Sequence, residues 1–174
     1  MPVHDEQRFV PYTPEKMFDL VADVARYPEF LPWCAGARIR TRERIDGVDR
    51  MTADLIVAYK VFRERFTSRV TLDRAGKRIE VEYLDGPFTH LVNRWTFTQH
   101  TDDQGRPGTR IGFFVDFAFK SRTLQKIIES RFAEAVIKMG EAFEARAHEL
   151  YANDPSAWPQ QAPAGTPANP AAGS

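Results

Sequence analysis

Five consecutive stretches of this chain alternate apolar and polar residues with a period of two, and no helical pattern separates them. Met51, Ala53, Leu55, Val57 and Tyr59 form the first set, and Phe62, Glu64, Phe66, Ser68, Val70 and Leu72 the second. Ile79, Val81 and Tyr83 follow, then Leu91, Asn93, Trp95 and Phe97, then Ile111, Phe113, Val115, Phe117 and Phe119. Turn-forming residues fall between most of them: Asp46-Gly47, Ala75-Gly76, Asp85-Gly86-Pro87, and the span from Gly105 to Gly108. A strand with this alternation offers one apolar face. Strands joined by such short breaks can only run back and forth, so the middle of the chain predicts an antiparallel meander.

The flanks supply what the meander's apolar face needs. From about Ser121 to Tyr151 there is no proline, and Leu124, Ile127, Ile128, Phe132, Ala135, Val136, Met139, Phe143 and Leu150 recur mostly at steps of three and four. That spacing predicts one long amphipathic helix. Gly140 interrupts it at a cost of about 1 kcal/mol relative to Ala, so either something packs closely there or the position is tolerated. Val3 to Val10 reads as a weaker strand. Thr13-Pro14 then reads as a helix start, with Thr as N-cap and Pro where a missing N–H costs nothing. The fold class is α+β: a sheet with one apolar face curls around a helix with one apolar face. At 174 residues the chain predicts one domain, over residues 1–152. From Asn153 to Ser174 proline, alanine and glycine dominate without periodicity, which predicts a disordered tail with Trp158 as its one sticky side chain.

A curved sheet and a long helix can close at their edges while their middles stay apart. The inward faces carry large rings that fill such a space poorly: Phe62, Phe66, Trp95, Phe97, Phe113, Phe117, Phe132 and Phe143, with Val136 and Met139 from the helix. Glu64, Ser68 and Asn93 are isolated polar exceptions among them. Ligand pockets are concave, mostly apolar, and carry a few polar groups of this kind. Glu64 on that face is at a strand end facing water, paired with an arginine, or facing a ligand headgroup. A packed core gives the same alternation, so the pattern supplies candidates and not a void.

Charge narrows the partners. Lys plus Arg and Asp plus Glu both number 24, so the net charge is zero, which speaks against general nucleic-acid binding, DNA included, and leaves room only for a local patch. Arg38, Arg40, Arg42 and Arg44 nonetheless alternate along one predicted strand and would all point the same way if it is extended. They read either as a basic stripe for anionic headgroups or ribosomal RNA, or as a solvated face with neighbouring counter-charges. The single Cys34 fits a reducing compartment, and no stretch reads as a signal peptide or a membrane-spanning segment. The expected location is the cytoplasm, with peripheral contact at the inner membrane as an option.

Catalytic and metal-binding patterns are missing from the sequence. His4, His90, His100 and His148 are scattered, without ligand spacing to Cys34 or to one another, so no metal is expected. There is no nucleophile elbow, phosphate loop or dinucleotide fingerprint, and Cys34 has no identifiable base. Asp116 alternates with the apolar set of its strand and falls on the solvent side. The expectation is a binding protein and not an enzyme, with no cofactor beyond the bound ligand.

Four ordered blocks carry a family resemblance. Tyr27-Pro28-Glu29-Phe30-Leu31-Pro32-Trp33-Cys34 resembles the YPxFLPxC signature of the START-like family that contains coenzyme-Q-binding proteins and the ribosome-association toxin RatA. Asp85-Gly86-Pro87-Phe88-Thr89-His90-Leu91, continuing to Trp95-Thr96-Phe97, is similar to that family's DGPFxxLxxxWxF segment. Glu64 to Val70 and Ala142 to Tyr151 resemble two further blocks, and Ala58-Tyr59 departs from the Gly-Phe of many relatives. The resemblance covers about Val3 to Tyr151. It implies the helix-grip fold (START/Bet v 1-like, polyketide cyclase-like superfamily) around a hydrophobic tunnel. It also implies ubiquinone or a related isoprenoid as ligand, in support of respiratory quinone function. RatA relatives add the large ribosomal subunit as a possible partner, and some helix-grip relatives are polyketide cyclases or dehydratases. On this reading the Tyr27 to Cys34 loop forms one lip of the tunnel, where Phe30, Leu31 and Trp33 either touch a membrane or fold onto the core. Phe88 and Leu91 stand at a strand entrance, and Tyr59 lies on the cavity wall.

Overall fold

The computed structural model describes residues 3–59 and 62–159. Strand β1 (Val3–Val10) leads into α1 (Pro14–Ala22) and a 3-10 helix (Val24–Glu29). The meander follows: β2 (Cys34–Ile45), β3 (Val48–Tyr59), β4 (Phe62–Asp73), β5 (Arg78–Asp85), β6 (Phe88–Thr101) and β7 (Pro107–Phe119). Helix α2 (Arg122–Tyr151) and a short 3-10 turn (Pro155–Ala157) complete the described chain. The strands form one antiparallel sheet in the order β1-β7-β6-β5-β4-β3-β2, so β1 crosses over to pair with β7 while the rest are sequential hairpins. This is the expected α+β arrangement, a curved sheet gripping a long C-terminal helix.

Local chemistry fixes the element ends. The Thr13 hydroxyl accepts from the Lys16 amide at 3.2 Å and Pro14 opens α1, while the Ser121 hydroxyl accepts from the Leu124 amide at 3.2 Å to start α2. Gly86 adopts φ +141°, and a Cβ there would lie 2.7 Å from the Phe66 Cβ and 2.9 Å from its Cα. The β5–β6 turn is therefore pressed against β4, and a glycine is what lets it come that close. Gly140 has a comparable explanation. A Cβ would sit 2.5 Å from the Arg8 guanidinium, which lies over this turn of α2 and pairs with Glu144 at 3.6 Å.

The apolar face of α2 is buried unevenly. Val136, Phe143 and Ala147 are buried from the middle of the helix onward, whereas Leu124, Ile128 and Phe132 before them are only partly covered. Ile127 and Leu150, expected on the apolar face, are 45% and 43% exposed. A helix of 3.6 residues per turn rotates both away from the sheet.

The unstructured tail expected from Asn153 does not hold for its first residues. The Asp154 side chain caps the turn Pro155–Ala157, the Thr13 amide donates to the Ala157 carbonyl at 2.8 Å, and Ala157 is fully buried. The Trp158 ring, 42% exposed, stands edge-on to Tyr12 at 5.1 Å, and its indole N–H donates to the Ala152 carbonyl at 3.2 Å. Proline-rich composition concealed a strap held by these contacts and by the pairing of Asp154 with Lys16 at 3.9 Å. Residues 160–174, the rest of that expected tail, lie outside the described residues.

The four alternating arginines of β2 do not share a face. Register shifts between Ile39 and Thr41, so Arg40 is the extra residue of a β-bulge. One extra residue reverses every side chain beyond it. Arg38 pairs across from Asp54 on the outer face, while Arg42 pairs with Met51 and Arg44 with Asp49 on the inner side, near the sheet's end. The bulged Arg40 turns its Nε onto Asp54 at 2.6 Å, where the Thr67 hydroxyl also donates at 2.5 Å.

Asp54 is 3% exposed. Burial pushes its carboxyl up, but the Thr67 and Arg40 hydrogen bonds and the charges of Arg40 and Arg65 together hold it below the ordinary carboxylate range. A carboxyl depressed on folding stabilises the fold fully above the ordinary aspartate range. That contribution drains away as pH falls through this range and on through the folded value. Melting temperature recorded against pH should therefore fall in acid for the native chain. Asp54→Asn should flatten that decline while starting from a lower neutral-pH value. Parallel profiles for the two proteins would show that Asp54 is not the titrating group.

Candidate functional site

The inner faces of β3 to β7, the loop that follows the first 3-10 helix, and the C-terminal half of α2 enclose a cavity of about 230 Å³. The protein's own side chains leave this space unfilled. The floor is aliphatic and aromatic: Leu55 and Val57 from β3, Phe66 and Val70 from β4, Ile79 and Val81 from β5, Leu91 and Trp95 from β6, and Phe113 and Val115 from β7. Met139 and Phe143 of α2 close one side. Val24 and Tyr27 of the 3-10 helix, Leu31, Pro32 and Trp33 of the loop after it, and Cys34 at the start of β2 form the remaining wall.

Polar atoms in this wall are largely occupied by the protein. Asn93 donates from Nδ2 to the Phe114 carbonyl and accepts from the Trp95 indole N–H, both at 2.9 Å. The Tyr27 hydroxyl donates to the Val21 carbonyl. Its burial, reinforced by Cys34 and Asp23, pushes the phenol far above its ordinary range. The Cys34 thiol contacts the Gly36 carbonyl at 3.6 Å, and burial pushes it up despite that bond, so it stays protonated at neutral pH. A cavity with such walls suits apolar matter; a charged group placed there would find no partner. Volume supports the same point, because a dry cavity of about 150 Å³ already admits benzene.

A second hollow of about 170 Å³ shares Trp33 and Val57 with the first. Tyr59, Phe62, Phe119, Ile128 and Ala135 give it apolar walls, and Arg131, Glu134 and Lys138 of α2 line its outer part. Trp33 stands between the two with φ 64°, a backbone conformation costing a bulky residue roughly 1–2 kcal/mol, and its ring meets Tyr59 edge-on at 6.0 Å. The less buried half of α2 borders this hollow, which makes it the natural mouth.

The expected site residues divide accordingly. Tyr27, Leu31, Trp33, Phe66, Leu91, Trp95, Phe113, Met139 and Phe143 line the inner cavity, and Trp33, Tyr59 and Phe62 line the mouth. Phe88 and Phe117 form, with Phe66, a packed aromatic cluster that closes one end. Phe132 packs on Phe117 at 5.4 Å, and Phe97 on Phe18 at 5.7 Å in the main core. Val136 faces a separate crevice of about 30 Å³ beside Arg8 and Gly140. Glu64 is exposed and lines neither space, which is the water-facing setting among the three expected for it, near the start of β4. Phe30 turns onto Tyr27 and Phe143 at 6.0 and 5.3 Å, beneath the Arg146 guanidinium, so its ring folds onto the core and not toward a membrane.

Selecting aromatics overlooked the aliphatic floor, although Leu55, Val57, Ile79, Val81 and Val115 belong to the same period-two sets. Val24 carried no such signal. Among the described residues no group of His, Cys, Asp and Glu could hold a metal ion, and no helix is long and apolar enough to cross a membrane. His90 and Asp116 meet at 3.0 Å on the outer face, away from the cavity.

Comparison with known proteins gives this geometry a lineage. The ribosome association toxin RatA of Rickettsia prowazekii is 38% identical over 146 residues, which span 82% of this chain and 94% of that protein. The mitochondrial coenzyme Q-binding protein COQ10 homolog B of Xenopus laevis is 32% identical over 150 residues, 85% of this chain and 59% of the relative. A START superfamily protein from Mycobacterium smegmatis shares the fold at TM-score 0.69 and 20% identity, over 85% of this chain and 98% of that one. Residues 10–144 match the family described as polyketide cyclase / dehydrase and lipid transport, and this chain belongs to that family.

Proposed function

We propose that this chain binds a polyprenyl lipid of the ubiquinone class and acts as its carrier or chaperone, without chemistry of its own. The observation that carries the reading is the unfilled cavity, whose wall is apolar apart from Asn93, Tyr27 and Cys34, which are bonded to the protein, and the Ser68 side chain, and whose mouth is lined by charged side chains of α2. The isoprenoid portion occupies the inner space against Phe66, Leu91, Trp95, Phe113 and Phe143, and the more polar end lies past Trp33. The coenzyme Q-binding name of one relative supports the choice of lipid. Absence of a paired nucleophile and base in the wall supports binding over catalysis. Organic extraction of the purified protein should release a polyprenyl quinone detectable by mass spectrometry, and stripped protein should take up added ubiquinone. Clean protein that also fails to take up ubiquinone would overturn the reading.

Association with ribosomes is a second reading, supported by the relative named for that property, which this chain matches over nearly its whole length. Lipid and ribosome need not compete, because a ligand in the cavity leaves the outer face of the sheet free.

A further inference from the structure

The bulge that scatters the β2 arginines assembles a different group. Cross-strand partners share a face, and in β2, β3 and β4 Arg38 pairs with Asp54, Asp54 with Thr67, Ile56 with Arg65, Ala58 with Arg63 and Thr52 with Arg69. Thr67 alternates with the core residues Phe66 and Ser68, so this is the outer face of the sheet. Arg38, Arg40, Arg50, Arg63, Arg65 and Arg69 stand on it together. The neutral total charge conceals a local concentration at one edge.

Carboxylates on this face are fewer and lie toward its margins, with Glu43 across from Arg50 and Asp85 across from Thr67. Asp54 is buried and held by Arg40 and Thr67, and Arg69 meets Glu82 of the neighbouring strand at 3.4 Å. Arg38, Arg63 and Arg65 are exposed and make no ion pair among the described residues, and the Nε of Arg50 is buried without a partner. Alternate residues on a strand lie roughly 6.6–6.8 Å apart and neighbouring strands about 4.8 Å, which sets guanidinium groups in a lattice on a convex surface.

We propose that the outer face of β2–β4 binds the phosphate backbone of structured RNA. Guanidinium forks match phosphate oxygens in pairs, whereas a membrane surface reads only charge and accepts lysine equally well; the cations named on this face are all arginine. Among its exposed arginines the face carries only half-buried Ile56, while Ile45, 43% exposed, stands apart at the β2–β3 turn opposite Val48, so no apolar side chain projects beside the guanidinium groups to enter a bilayer. In its choice of RNA the proposal rests on the ribosome-association reading and gives that reading a surface.

The test uses the full chain, the triple variant R38E/R63E/R65E, and R42E/R44E as a control on the opposite face. Fluorescence anisotropy with a labelled hairpin of large-subunit ribosomal RNA should show at least a ~10-fold affinity loss for the triple variant. Its salt dependence should flatten by about 2–3 in the log–log slope. The control should bind like the native chain. Ubiquinone uptake and the circular dichroism spectrum, both independent of this face, should be unchanged in all three. An unaltered triple variant, an equal loss in the control, or a native chain that binds phosphatidylglycerol vesicles and not the hairpin would each overturn the proposal. Co-sedimentation with purified bacterial ribosomes separates it from the parent reading. Native chain that binds the hairpin in this pattern but does not sediment sinks the ribosome reading and leaves the surface standing. A triple variant that sediments as well as the native chain leaves the reading and sinks the surface.

Discussion

Val81→Phe should lower ubiquinone uptake at least ~10-fold, about 1.4 kcal/mol in binding, without lowering the melting temperature. Val81 lies on the cavity floor at the centre of the meander, paired in register with Val70 on one side and Asn93 on the other. Its side chain points into space that no other side chain occupies. Adding ring atoms to a filled core forces neighbours off their rotamers and costs typically 1–3 kcal/mol. Adding them to a dry void meets no such resistance and removes further apolar area from water, at roughly 25 cal/mol per Å². The same substitution therefore separates a real cavity from a packed core by the sign of its effect on stability. Calorimetry and a quinone titration on the same preparation supply both readouts. A clear drop in melting temperature together with unchanged uptake would mean that the space is not where the ligand goes.

The physical basis of that contrast also explains what could be read from the sequence. Alternation constrains side-chain direction strongly, so the meander and its inward faces were legible from Met51 to Phe119. One inserted residue undoes such reasoning locally. Arg40 has no compositional mark of a bulge, and Arg42 and Arg44 changed sides because of it. Arg63, Arg65 and Arg69 belong to the outward set of β4, and alternation alone does not show that this set meets the arginines of β2 across β3. Glu64 takes the first of its three expected settings, open to water, because alternation gives a side chain's direction but not whether anything covers it there. Trp158 and Ala157 failed because packing of a short strap depends on two distant partners, Tyr12 and Thr13, that no local pattern reveals. The void itself was never legible. Alternation is identical whether the rings meet or leave a gap, and only the placement of α2 distinguishes the two.

Phe143→Ala should destabilise the protein by about 3–5 kcal/mol, a fall of roughly 6–20 °C in melting temperature for a domain of this size. Phe143 is where helix, loop and sheet meet. Its buried ring stands edge-on to Tyr27 at 5.6 Å, Phe30 at 5.3 Å and Trp95 at 5.1 Å. Each such pair contributes about 0.5–1.5 kcal/mol beyond the area it buries. The following turn of α2 reinforces the junction, because Arg146 reaches Glu29 at 3.5 Å and covers the Phe30 ring at 5.3 Å. Truncation would merge the cavity with the space left by the ring, and the neighbouring void prevents the surroundings from collapsing to fill it. Phe132→Ala is the matched comparison: its ring is only partly buried, on the half of α2 that borders the mouth, and its loss should cost less than half as much. Chemical denaturation of the two variants measures the difference directly, and hydrogen exchange should show amides of residues 122–132 opening before those of residues 139–150. Equal costs, or the reverse order of exchange, would mean that α2 is held uniformly. The lipid would then have no preferred end at which to enter.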